Sequence, residues 1–146
     1  MQNEKKIEYL LFGAWATSVL ALAGSLYFSE VLRYEPCELC WYQRILMYPL
    51  VIILGIAMVK KDVRQWLYVL PLSVIGASVS LYHYLLQKAS FLAESAPACG
   101  RVPCTGEYIN LFGFMTIPFL ALLAFTIITT LMVVLYRQLK KEESDV

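Results

Sequence analysis

What this sequence lacks narrows its function first. Charged residues make up only 16% of the 146 positions, where a soluble domain carries about 25%. The net charge is +1, and no basic patch with interleaved aromatics occurs, so composition offers no footprint for nucleic acid. No internal repeat or low-complexity tract is present, which argues against a solenoid or a tethered disordered arm. Cysteine is sparse as well. There are four, and none falls in the middle of an apolar stretch.

Apolar residues are what the sequence has in excess: 60% of the chain, against about 45–50% in soluble proteins. Residues 10–29, 45–59 and 111–136 carry no charge, and 66–86 carries only His83. At 1.5 Å per residue, roughly 20 residues cross a hydrocarbon core of roughly 30 Å. The sequence therefore predicts an all-α integral membrane protein, one domain over 1–146, with four transmembrane helices at about 8–30, 41–60, 66–87 and 111–137. The first stretch is longer than the apolar core of a signal peptide and has no small-residue cleavage site after it, so it is read as a retained span.

Lysine and arginine set the expected orientation. Lys5, Lys6, Lys60, Lys61, Arg64, Arg137, Lys140 and Lys141 fall at one set of helix ends, eight of the twelve basic residues. Both termini and the 60–64 turn are then expected in the cytoplasm, and loops at about 30–40 and 87–111 outside. Cys37 and Cys40 lie in the first outer loop, and Cys99 and Cys104 in the second. Disulfides persist outside the reducing cytosol, so two close pairs suggest two disulfides.

Helix 1 carries Ala14, Thr17, Ala21 and Gly24, and helix 3 carries Ser73, Gly76, Ala77 and Ser80. Such small-residue faces let helices approach in a membrane, where lipid removes the hydrophobic drive to associate. They predict an up-down four-helix bundle. Pro71 is expected in the first turns of helix 3, where a missing N–H costs little, and Pro49 and Pro118 inside helices 2 and 4, where they loosen them.

The four thiols have three readings. Together they have the makeup of a tetrahedral zinc site, but the oxidising side favours disulfides and no metal is expected. Two structural staples are the second. Against it, a Cys-x-x-Cys ring closes so short a loop that it restricts little chain entropy. Exchange of electrons is the third, and a strained small ring suits it. Helix 2 is expected to begin around 40–43, so its positive end favours a thiolate there. Arg44 lies one turn beyond Cys40. It is read either as a cation serving a thiolate or an electron acceptor's carbonyl, or as an arginine snorkelling to the headgroups.

The stretch "PCELCWYQR" resembles the Pro-Cys-x-x-Cys-x-x-Gln/Glu-Arg signature of the DsbB/BdbC family of disulfide-bond formation proteins. "SLYHYLLQ" and "GFMTIPFLALLAF" are similar to that family's segments in its third and fourth helices, and the order of motifs agrees over nearly the whole chain. The resemblance implies a thiol:quinone oxidoreductase of the bacterial cytoplasmic membrane. Such an enzyme reoxidises an extracytoplasmic thioredoxin-fold partner of the DsbA or BdbD kind. A DsbA-type partner has a known potential near −120 mV, against less than about −300 mV for ordinary structural disulfides. That gap of roughly 8 kcal/mol is why the relay needs a quinone as its sink.

Carried over, Cys37–Cys40 is the quinone-coupled disulfide, with Cys40 and Arg44 facing the quinone and His83 near its ring. Cys99–Cys104 is the partner-oxidising disulfide, with Cys99 forming the mixed disulfide. Only four residues separate that second pair, as in the BdbC-like branch, and the quinone is menaquinone or ubiquinone. A vitamin K epoxide reductase-like enzyme is the nearest rival, but its Cys-x-x-Cys opens a late helix. A non-catalytic stapled tetraspan protein is the other, and it leaves Gln43-Arg44 without a role.

Overall fold

The computed structural model describes residues 2–94 and 116–146; Cys99 and Cys104, placed by the sequence in a second outer loop, lie outside the described residues. Among the described residues, four helices are long and apolar enough to cross a membrane. Helix α1 (Gln2–Leu26) runs on into a π turn at Tyr27–Val31. Helix α2 spans Glu38–Lys60, α3 Trp66–Lys88, α4 the five residues Ser90–Glu94, and α5 Ile117–Ser144.

Contacts at the two ends establish the up-down arrangement. Lys61, just past α2, pairs with Glu8 near the start of α1 at 3.8 Å. The Trp66 and Tyr136 rings, at the start of α3 and late in α5, meet at 4.7 Å between centroids. At the opposite end Tyr84 of α3 meets Phe119 of α5 at 5.5 Å. Each neighbour is therefore antiparallel, and α1, α2, α3 and α5 close a ring in that order.

Capping explains the tight turn between α2 and α3. Lys61 adopts a left-handed conformation (φ 53°), and the Asp62 N–H donates back to the Ala57 carbonyl at 3.0 Å. The Asp62 carboxylate then accepts from Gln65 Nε2 at 2.9 Å and from the Arg64 N–H at 3.0 Å. Those bonds hold its carboxyl below the usual range.

Each span turns one narrow stripe inward. Val69, Ser73, Gly76, Ser80 and His83 of α3 are buried at alternating steps of four and three, the spacing of one helical face. Leu50, Leu54 and Ala57 of α2 meet Phe125, Ile128, Met132 and Leu135 of α5 in the core. With lipid outside, close approach and shape matter more than apolar burial. Two glycines provide it. A Cβ on Gly76 would stand 2.3 Å from Phe125 Cε1, so the ring occupies the space that a side chain would need. A Cβ on Gly55 would stand 3.1 Å from the Trp15 indole nitrogen. Ser73 also accepts a hydrogen bond from Thr129 at 2.9 Å across α3 and α5.

Several expected details change. α2 begins at Glu38, three residues before its expected start, because Cys37 already adopts the extended backbone of an N-cap. Pro118 sits at the start of α5 and not inside it, so its missing N–H falls among donors a helix leaves free anyway. Pro71 is the reverse case: α3 starts at Trp66, making Pro71 an interior proline that removes the donor for the carbonyl four residues back. Pro49 is interior, as expected. On α1, Gly24 packs against nothing, since a Cβ there would meet no atom within 4 Å. Its neighbours Thr17 and Ala21 join it on the wall of a cavity.

Candidate functional site

At the end of the bundle opposite the termini, four sequence-selected side chains meet. Cys37 is the N-cap of α2 and Cys40 its third residue. One turn of helix thus sets the two sulfurs side by side, 3.3 Å apart and sharing a hydrogen bond. His83 comes from the last turns of α3 and is 1% exposed. Its Nε2 lies 3.5 Å from Cys37 Sγ. Its Nδ1 lies 3.1 Å from Gln43 Nε2. A Gln43 amide N–H donated to Nδ1 places the ring proton on Nε2, facing Cys37.

Cys37 lies just outside the span, and its environment favours the thiolate. The shared hydrogen bond with Cys40 lowers its pKa most; burial opposes this, and the His83 ring lowers it further. The start of α2 adds its positive end at the same sulfur.

Arg44 does not snorkel. It is buried, at 9% exposure, and reaches across to α1. Its Nε donates to Ser25 Oγ and its Nη2 to the Ser25 carbonyl, both at 2.9 Å. The Trp41 ring lies beneath it, 5.4 Å from Cζ. The π turn begins two residues after Ser25; a change from four- to five-residue bonding spares a carbonyl near the junction, and such turns recur at functional sites.

Between α1, α2 and α5 lies a cavity of about 460 Å³. Its walls are mainly apolar, from residues such as Leu20, Met47, Leu120 and Phe125. Its polar groups are few and include Cys40, Gln43, Arg44 and Ser25. That is the makeup of a small-molecule site: apolar walls with a few placed polar groups. Cys40 faces this cavity. Cys37 and His83 do not line it; they form a layer behind Cys40. The structure therefore places His83 against the Cys37 sulfur, behind the cavity wall. Cys99 and Cys104, expected as the second pair, fall outside the described residues.

Ser25 is the residue that sequence reasoning does not single out. A lone serine near a helix end reads as an interfacial residue; only its position one residue after Gly24, on the small-residue side of α1, hinted that it faces inward.

Comparison with known proteins agrees with this architecture. The family described as "Disulfide bond formation protein DsbB" matches residues 7–135. The chain is 63% identical over 125 residues to a protein of Bacillus anthracis described as probable disulfide formation protein C 1, covering 86% of this chain and 90% of that one. It is 55% identical over 135 residues to disulfide bond formation protein C of Bacillus subtilis, covering 92% and 95%. No solved structure gives a significant match. With four spans, a paired-cysteine helix start and this breadth of match, the chain belongs to the DsbB family of disulfide bond formation proteins, membrane oxidoreductases of thiols and disulfides.

Proposed function

We propose that this protein reoxidises an extracytoplasmic thioredoxin-fold protein and passes the electrons to a quinone held against Cys40 and Arg44. The carrying observation is that a redox sulfur and a buried, anchored cation open onto one apolar cavity. The residues present fit such a group: the walls suit an apolar ring, and Arg44 has more N–H donors than its two bonds to Ser25 use. When bound, a quinone accepts the two electrons and two protons that the Cys37–Cys40 dithiol releases on becoming a disulfide. Menaquinone and ubiquinone both meet that requirement.

The chain's own residues have distinct tasks. Cys99–Cys104 takes the electrons from the partner, with Cys99 forming the mixed disulfide, and the resulting dithiol reduces Cys37–Cys40. Attack at Cys37 releases Cys40 as the leaving thiolate, the sulfur that faces the cavity. Arg44 offsets negative charge there in a water-poor setting, where a fixed cation acts most strongly. His83, held by Gln43, presents its Nε2–H to Cys37 and stabilises charge on that sulfur. The basic residues at the end holding both termini support a cytoplasmic location for that end, with all four cysteines outside.

The test is quinone reduction by the purified protein with a reduced thioredoxin-fold partner, followed by quinone absorbance. Turnover by the wild type and its loss in Cys40→Ser are expected. Absence of turnover in the wild type overturns the oxidase reading. Activity that survives Cys40→Ser overturns the assigned route.

A further inference from the structure

We infer that the reduced Cys37–Cys40 pair and His83 form a binding site for one thiophilic divalent cation, such as zinc or cadmium, and that this cation holds the protein in its reduced, inactive state. The metal site itself does not depend on a quinone or a partner; that loading it makes the protein inactive rests on the redox role proposed above for Cys37–Cys40. The site rests on three donor atoms from two helices, all within 4.8 Å of one another.

The sequence argues for no metal as long as four thiolates are the donor set. The fold supplies a different set: two sulfurs and one imidazole. In a tetrahedral site, Zn–S of about 2.3 Å and Zn–N of about 2.0–2.1 Å place neighbouring donors roughly 3.5–3.8 Å apart. Here the sulfurs stand 3.3 Å apart and His83 Nε2 stands 3.5 Å from Cys37. The two spacings to Cys37 need shifts of only a few tenths of an ångström, while Cys40 Sγ and the His83 nitrogen, within 4.8 Å of each other, close the remaining gap by a side-chain rotation. Histidine ligands usually have their second nitrogen held by an acceptor. Gln43 is in place for that at 3.1 Å; with its amide turned over, the oxygen accepts the Nδ1 proton and leaves the Nε2 lone pair for the cation. A divalent cation with two thiolates and a neutral imidazole carries no net charge, which makes a buried position tolerable. The fourth position is left for water, and Cys40 on the cavity wall gives the ion a way in.

Binding displaces whatever thiol protons the pair still holds and changes no oxidation state; the competition with protons makes it weaker at low pH. The disulfide offers no thiolates, so only the reduced form binds. A tenfold excess over Kd therefore favours the dithiol by roughly tenfold, raising the pair's potential by about 30 mV.

The full-length Cys99→Ser/Cys104→Ser variant isolates this pair. It is reduced with a phosphine, desalted under inert gas and titrated with Cd²⁺, following thiolate-to-cadmium absorption and bound metal. One equivalent is expected on the reduced protein and none on the oxidised, with at least tenfold weaker binding in His83→Asn. No stoichiometric uptake, equal uptake by both redox forms, or unchanged affinity in His83→Asn overturns the proposal. X-ray absorption of the zinc-loaded protein with His83 intact decides the same point without that variant. A shell of two sulfurs and a histidine nitrogen supports the site, and any shell lacking that nitrogen overturns it. None of these readouts uses quinone turnover, so they fail or succeed separately from the oxidase reading.

Discussion

Ser25→Ala is the sharpest test of how the cavity is built. The substitution removes one hydroxyl and leaves the other anchor of Arg44, the Ser25 carbonyl, in place. A hydrogen bond to a charged group contributes about 1.5–3 kcal/mol. At 1.4 kcal/mol per factor of ten, full loss corresponds to roughly ten- to hundredfold, and the surviving carbonyl bond argues for the lower end, about tenfold. In the proposed cycle Arg44 serves the acceptor both when it binds and when it reacts, so the loss is expected mainly as a higher KM for a soluble quinone analogue, with kcat nearly kept. Ser25→Thr keeps the hydroxyl and restores most of the affinity. The assay is steady-state quinone reduction at saturating thiol donor, with circular dichroism and a melting curve to show an intact fold. A KM within twofold of wild type in Ser25→Ala, alongside a large effect of Arg44→Gln, refutes the view that Ser25 positions the guanidinium.

Gly24→Leu places a side chain in open space on the cavity wall, so acceptor KM rises severalfold while the melting temperature stays within a few degrees of wild type. Gly76→Ala forces a methyl against the fully buried Phe125 ring and costs about 1–3 kcal/mol; Phe125→Leu in the same chain recovers part of that loss in a double-mutant cycle by thermal melting. In the reduced protein, thiolate absorbance of the pair persists below the ordinary pKa of a thiol, and His83→Asn moves its titration upward. The sign for stability follows: the Cys37 pKa is lower folded than unfolded, so its contribution is complete above the unfolded value and is lost as pH falls through the folded one. Melting of the reduced protein against pH measures it.

Apolar run length, together with the absence of charge inside the runs, identified the four spans, since crossing a hydrocarbon core demands both. The boundaries were less legible. A polar first turn such as "ELCW" continues a helix once Cys37 caps it, and nothing in its hydropathy marks that. The small-residue faces were visible but their uses were not. Gly76 makes room for Phe125, whereas Gly24 makes room for nothing in the protein and so opens a cavity.

By itself, the sequence determined that this is a four-span membrane protein with a Cys-x-x-Cys and an arginine one turn apart, because span length and helical periodicity are local properties. Only the tertiary structure decided what those groups face. Ser25 lies nineteen residues before Arg44 and on another helix, yet it holds the guanidinium at the cavity. His83 lies forty-six residues after Cys37, yet its ring contacts that sulfur and leaves the cavity to Cys40. Contacts between helices depend on how each one is rotated and tilted in the bundle. That rotation is set by the shape of rings seated on glycines, which residue spacing along one helix does not encode.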